Sequence, residues 1–352
     1  EIYQCDWSSD VCSSDLWQNL ATYDVTLNDM HTIGALIGSE EQHTTTEGWG
    51  AQRTQVADPF FTTYQGNYTT NNPSGNFQGE NYLLSYFGRL TYEFNKRYYL
   101  TANVRQDEYS AYSSGNKKGT FWGLSAGWSI SEENFWQRSP LRFFNFFKLR
   151  GSYGTVGNAN GIGDFASMSL FNSGLYGAVP TFFFNQAGNR ELTWESSKKT
   201  DFGVVFGLFN DRLQGEYTYF NNLIDGLILN APQAPSKGIP GNVIAINVGS
   251  MENTGHEFGL SATVLRRGKF SWTSGVNLTL MKNEVTALAD GNSDILANTG
   301  GLETTNIIRV FESVGSIYAV ETQGVNTTNG QRQFVRADGT VVLYDHSAAA
   351  GQ

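Results

Sequence analysis

Four histidines, one G-x-S-x-G pentad, one glycine-rich run and two cysteines are the residues in which chemistry would first be sought. A metal site needs His, Cys or carboxylate ligands at short, regular spacings such as i, i+4. His31, His43, His256 and His346 are scattered, so structural or solvated roles account for them better. Gly123-Leu-Ser-Ala-Gly127 matches the pattern of a nucleophile elbow, but that device works only where a strand turns sharply into a helix. Here the pentad lies inside an alternating apolar and polar stretch, and chance explains the match. Gly157-Asn-Ala-Asn-Gly-Ile-Gly163 lacks the Lys-Ser/Thr ending and the following helix of a phosphate loop, and reads as a surface loop. Cys5 and Cys12 have no histidine or second cysteine pair beside them. No catalytic triad assembles, and the expectation is a protein without a catalytic site, metal or cofactor.

Both cysteines fall within residues 1–16, where the run DWSSDVCSSDL (Asp6–Leu16) repeats SSD and has no apolar periodicity. This run is similar to the conceptual translation of a short-read sequencing adapter, with a flexible tail as the alternative. On the adapter reading, residues 1–16 are not native and 17–352 are the natural part. That part contains no cysteine, which suits an oxidising envelope compartment.

The elements that would position any site are strands. The 352 residues are 14% aromatic and only 16% charged, with 39 glycines, a composition far from that of disordered chains. A formal charge of −10 opposes binding to a nucleic-acid backbone. No run reaches 18 apolar residues, so no membrane-spanning helix is expected. From Trp17 onward the dominant period is two, the mark of strands with one apolar face. In Leu84–Phe94 the even positions are Leu, Tyr, Gly, Leu, Tyr and Phe, and the odd ones Ser, Phe, Arg, Thr and Glu. After Asn95-Lys96-Arg97 the pattern resumes with Tyr98, Leu100, Ala102 and Val104 on one face, which predicts a hairpin. Similar stretches recur at Trp122–Ile130, Phe147–Tyr153, Phe202–Leu208, Leu213–Tyr219, Phe258–Val264 and Phe270–Leu280. Weaker ones lie at Asn19–Leu27 and His31–Ile37, and a further strand is expected near Ile308. No Asp, Glu, Lys or Arg falls on the apolar face of the clear strands.

The links between these stretches alternate in length. Short ones lie at Asp29-Met30, Asn95–Arg97, Asn210-Asp211 and Arg267-Gly268, and longer polar ones at Thr44–Asn81, Gly157–Lys198, Asp225–Glu252 and from Thr286 onward. Ser110–Lys117 and Ser131–Phe143 blur the trend. Tyr92, Phe94, Tyr98, Trp128, Phe135, Trp136, Phe143, Phe144, Phe270 and Trp272 cluster beside the short links, where an interfacial aromatic girdle belongs. Strands of roughly 9 to 13 residues suit the about 9 to 11 needed to cross a bilayer, and exceed the usual strand of about 5 to 6. The expected fold is all-β, an antiparallel transmembrane β-barrel segment of about 10 to 11 strands, with chain truncated at both ends. A soluble carbohydrate-binding β protein is the rival reading.

Five blocks resemble the SusC/RagA family of TonB-dependent outer-membrane transporters, in that family's order. They are YFGRLTYEFNKRYYLTANVRQD from Tyr86, GTFWGLSAGWSISEENF from Gly119, KLRGSYGTVGN from Lys148, ELTWESSKKTDFGVVFGLFNDRLQGEYTYF from Glu191 and NVGSMENTGHEFGLSATV from Asn247. The resemblance implies part of a larger, 22-stranded barrel in the cell outer membrane that imports glycan or peptide fragments. It also implies a SusD-like surface lipoprotein as lid and the TonB-ExbB-ExbD complex as energy source. The chain shows no plug, TonB box or closing aromatic strand, and Glu108-Tyr109 replaces an expected Gly-Ser. A siderophore or cobalamin receptor would share the barrel but not the lid.

Two groups of residues are candidates on this reading. Tyr176, Phe182, Phe183, Phe184 and Trp194, in the longest loop, are expected to touch ligand or lid, or to pack within the loop. Arg89, Glu93, Arg105, Asp107, Lys148, Arg150, Glu216 and Glu257 share the polar face, and are expected to line the lumen and support the plug.

Overall fold

Consecutive left-handed residues reverse the chain at its tight links. Asn28 and Asp29 both have φ of 52°, and Asn95 and Lys96 have 51° and 57°. A pair of positive φ values gives a hairpin turn whose twist matches that of its strands, and Asn and Asp tolerate this region best. The computed structural model describes residues 4–5, 8–56, 68–298, 304–336 and 338–343. It divides into two units, Glu1–Lys282 and Asn283–Gln352.

The first unit is built on one sheet. Its strands are β1 (Gln4–Cys5), β2 (Ser8–Leu27), β3 (His31–Val56), β4 (Tyr68–Phe94), β5 (Tyr98–Tyr109), β6 (Lys118–Ser129) and β7 (Phe144–Asn158). After a separate hairpin, β8 (Leu170–Tyr176) and β9 (Val179–Gln186), it continues with β10 (Glu195–Leu208), β11 (Leu213–Pro232), β12 (Val243–Arg267) and β13 (Phe270–Ala287). The strands adjoin in chain order, β8 and β9 left out, and from β2 to β12 each pairs antiparallel with the next. The sheet is open, as a segment of a barrel wall would be. The sequence-derived expectation of ten or eleven antiparallel strands is met.

The lengths differ from expectation. β5 and β6 have 12 residues each, but β3 has 26, β4 27 and β12 25. Much of the predicted loop Thr44–Asn81 is therefore a pair of strand extensions, with Glu47 opposite Gln78 and Thr54 opposite Thr70. Likewise Asp225–Glu252 extends β11 and β12, apart from residues 233–242. Ser8–Leu16 occupies the outer half of β2, opposite Gly50–Gln42. Such a ladder uses backbone groups that any sequence supplies.

All tight links lie on one rim. The blurred member there, residues 130–143, folds as three short helical turns, α1 (Asn134–Gln137) between the 3-10 turns Ile130–Glu132 and Pro140–Phe143. Its anchor is Glu133, which accepts hydrogen bonds from Tyr98 Oη (2.6 Å), Trp128 Nε1 (3.2 Å) and Arg97 Nη1 (3.2 Å). The bond from Tyr98, then that from Trp128, holds this carboxyl below its ordinary range. The opposite rim carries residues 110–117, 159–194 and 233–242.

The second unit holds the helical turn α2 (Ala289–Asn292) and two three-stranded sheets, β14 (Ile295–Asn298), β15 (Thr304–Ile308) and β16 (Ser316–Ile317), then β17 (Thr322–Val325), β18 (Arg332–Val335) and β19 (Val341–Leu343). Thr304–Ile308 is thus a strand of a small separate sheet, and not a further member of the main one. Arg309 clamps Asp294 through Nε and Nη2, at 3.0 and 2.7 Å.

Candidate functional site

The register places the two sets of side chains of the main sheet on opposite faces. One face carries Tyr92, Leu90 and Gly88 beside Leu100, Ala102 and Val104, then Ala126, Leu124 and Trp122. It continues through Leu149, Gly151 and Tyr153 to Val204, Phe202 and Tyr217. These side chains are not covered: Leu90 is 52% exposed, Leu124 55% and Phe202 62%. Soluble monomers rarely expose contiguous apolar patches above a few hundred Å2. The largest fully buried apolar side chains among the described residues, Tyr112 and Leu192, lie in the links of the long rim, so the sheet itself has no core beneath it. A lipid-facing barrel wall presents such a face.

Charge bounds the apolar face on the side of the long rim. Rising from the short rim, the first charged residue on this face is Glu41 in β3, Glu80 in β4, Glu108 in β5, Lys118 in β6 and Lys198 in β10. Glu108 pairs with Lys118 at 3.7 Å and Lys198 with Asp225 at 3.8 Å. Tyr98 to Glu108, and Trp128 to Lys118, are each ten residues. Ten residues at about 3.4 Å each, tilted by about 40°, rise about 26 Å, close to the about 25 Å apolar band of outer-membrane barrels. Beyond the band His43 stacks on Tyr82 at 4.2 Å, and both bond to Glu80. The Tyr82 hydroxyl, then His43, lowers the pKa of Glu80.

The opposite face carries all eight charged residues predicted for it. Arg105 is the hub of a network in which it bonds Asp107 (2.6 Å), Ser85 Oγ (2.8 Å) and Glu40 (3.3 Å), and lies over the Phe87 ring. Arg150 donates to Thr218 (2.7 Å) and lies 3.8 Å from Glu216, while the Lys148 ammonium lies 3.9 Å from the centre of the Tyr99 ring. Arg89, Glu93 and Glu257 have no hydrogen-bond or ion-pair partner among the described residues. Glu40, Ser85, Lys199 and Asp201 share this face but were not singled out from the sequence. Glu40 and Lys199 lie in or beside stretches read as loop or as weak strand, where no clear alternation assigned them a face.

The long loop is not irregular throughout. Residues 170–186 form the β8–β9 hairpin, turned at Gly177, whose φ of 63° suits glycine. Tyr176 (84% exposed), Phe182 (80%) and Phe183 stand in solvent, whereas Phe184 packs on Phe171. Trp194 is placed apart from them. Its ring meets Tyr112 at 5.4 Å, Phe121 at 5.6 Å and Tyr109 at 6.2 Å, and its Nε1 donates to the Lys117 carbonyl at 2.9 Å. These contacts are those of the packing alternative for Trp194. Around it Asn189 bonds Ala245 O, Asn247 bonds Thr193 O, and Ser113 and Asn116 bond Arg190 O. The Tyr112 hydroxyl is buried with no partner among the described residues, and burial raises its pKa.

The other motifs fall where no reaction is assembled. Gly123–Gly127 lies within β6, Leu124 on the apolar face and Ser125 on the other. His31 bonds Tyr92 at 2.8 Å and His256 bonds Tyr217 at 2.9 Å. His346 lies outside the described residues. Among the described residues no three His, Cys, Asp or Glu side chains gather as a metal would require.

Known proteins share this fold. Residues 6–338 match the family described as TonB dependent receptor-like, beta-barrel. TonB-dependent receptor P39 of Formosa agariphila is 33% identical over 310 residues, covering 88% of this chain and 29% of that protein. TonB-dependent receptor SusC of Bacteroides thetaiotaomicron is 31% identical over 314 residues, 84% of this chain and 30% of that protein. The structure of the RagAB peptide transporter superposes with a TM-score of 0.80 at 25% identity, over 96% of this chain and 37% of that one. The siderophore receptor PiuA of Acinetobacter baumannii reaches 0.52 at 14% identity, a likeness of fold alone. The chain spans about 30% of the length of the curated relatives cited here.

Proposed function

This chain belongs to the TonB dependent receptor-like β-barrel family, whose members reside in the outer membrane, and from that premise we propose that it is the wall segment of a SusC-like nutrient importer. The family is one of transporters rather than enzymes. The observation that carries the proposal is the ten-residue apolar band with every charge displaced to its edges or to the other face. That band faces lipid, the polar face lines the lumen, and the short rim is periplasmic, as barrels of this kind arrange their turns.

In the complete transporter, glycan or peptide fragments are captured at the long extracellular rim. The likeness to SusC and RagAB supports a SusD-like lipoprotein as lid, with Tyr176, Phe182, Phe183 and Phe184 on the hairpin at the ligand or lid boundary. Energy comes from the TonB-ExbB-ExbD complex through a plug seated on the polar face. Glu93 and Glu257, without partners among the described residues, meet that plug, while Arg105, Asp107, Arg150 and Glu216 stiffen the wall beneath it.

Uptake of fluorescent glycan and peptide fragments by cells of the source organism tests this. Deleting the complete gene, its SusD-like neighbour, or TonB should each abolish energised uptake of at least one fragment class. Uptake that persists in all three deletions across both classes overturns the importer reading.

A further inference from the structure

The polar face contains a cavity of about 700 Å3. Its lining includes Arg89, Arg105 and Lys199 with Asp107 and Asp201, and Arg105 pairs also with Glu40 at 3.3 Å, which leaves Arg89 and Lys199 as the cations outside that network. Asp107 is consumed by Arg105 at 2.6 Å, and Asp201 accepts from Ser152 Oγ at 2.9 Å. Arg89 and Lys199, both exposed, have no ion-pair partner among the described residues.

These two cations stand at the ends of one register line: Arg89 opposite Asn103, Asn103 opposite Gly123, Gly123 opposite Gly154, and Gly154 opposite Lys199. The glycines leave the middle of the line bare. A Cβ at Gly154 would lie 2.8 Å from Gly123 Cα and from the Trp122 carbonyl, so the two backbones meet where side chains would otherwise fill the trough. The neighbouring line supplies hydroxyls and one carboxylate, Thr101, Ser125, Ser152 and Asp201. Four strand spacings of about 4.8 Å put the backbones of Arg89 and Lys199 about 19 Å apart. A single sugar or amino acid does not reach both.

We propose that this trough is a transit subsite for an acidic oligosaccharide, its carboxylates held by Arg89 and Lys199 and its hydroxyls by Asn103, Ser125, Ser152 and Asp201. A guanidinium fork matches a carboxylate, the hydroxyls and one carboxylate acceptor match sugar hydroxyls, and Phe87, Phe121 and Val156 in the same lining offer apolar surface to the C–H faces of a sugar ring. Asp201 closes the line of hydroxyls on the same strand as Lys199 and two residues from it, where its carboxylate accepts from a sugar hydroxyl. The inference rests on the importer reading, because only a lumen-facing wall meets cargo.

The test is uptake by the complete transporter, at matched outer-membrane levels, of tetragalacturonate, its methyl ester and tetraglutamate. R89Q and K199Q should each raise the half-saturating concentration of tetragalacturonate about fivefold to tenfold, the scale of one charge-assisted contact. The methyl ester should respond to neither substitution. K118Q, the same charge change on the apolar face, should leave uptake unaltered. Equal handling of acid and ester, indifference of tetragalacturonate to R89Q and K199Q, or preference for tetraglutamate overturns the subsite while leaving the importer standing. Loss of energised uptake of every fragment class in the unsubstituted transporter overturns the importer reading itself.

Discussion

Leu124→Arg is expected to prevent stable insertion of the barrel wall, whereas Ser125→Arg, one residue on, is expected to be accommodated. Leu124 lies in mid-band beside Ala102 and Tyr153 with its side chain 55% exposed. In the bilayer that exposure is contact with acyl chains, where an arginine costs about 2 to 4 kcal/mol. Ser125 points to the polar face, beside Thr101 and Ser152, where water solvates the guanidinium. Heat-modifiable migration and urea unfolding of the two variants in lipid vesicles measure the difference. Equal loss in both would mean that the faces are not chemically distinct.

The second large effect is expected at Trp194. Trp194→Ala removes the ring that joins Tyr109, Tyr112 and Phe121, together with the hydrogen bond to the Lys117 carbonyl. Truncating a buried tryptophan costs about 3 to 5 kcal/mol, and the partial exposure of this one places it toward the lower end. The loss is local to the long rim, because the strands below keep their own ladders. Limited proteolysis should therefore cut residues 159–194 several-fold faster, while the membrane-embedded strands stay protected. Trp194→Phe should restore part of the protection by refilling the cluster. Unaltered cleavage in Trp194→Ala would show that the cluster does not hold the loop.

The division between what the sequence shows and what it hides follows from where each strand is solvated. Within the band one face meets lipid and the other polar groups, so Leu84–Phe94 and Tyr98–Val104 alternate cleanly and their register is legible. Above the band both faces are wet. Thr44–Val56 and Tyr68–Asn81 then carry no alternation, and strands look like loops. The β8–β9 hairpin is hidden for another reason, since the run Phe182-Phe183-Phe184 is apolar at every position and masks a period of two. The charged residues of the polar face were legible because parity alone assigns them. Lys199 was missed because the clear alternation of its strand begins only at Phe202. The surroundings of Trp194 are hidden because its ring partners are more than 70 residues away, and no local pattern reports such contacts.

The central claim is that the face carrying Leu100, Ala102 and Val104 meets lipid over ten residues. Nitroxide scanning from Tyr98 to Glu108, one site at a time, tests it most directly, with Cys5 and Cys12 replaced by serine and the protein in lipid vesicles. Labels at 100, 102 and 104 should be accessible to oxygen and shielded from a water-soluble nickel chelate. Labels at 101 and 103 should show the reverse, and the alternation should end at Glu108. Equal chelate accessibility at 100 and 101, with no period of two, would contradict the membrane-wall account.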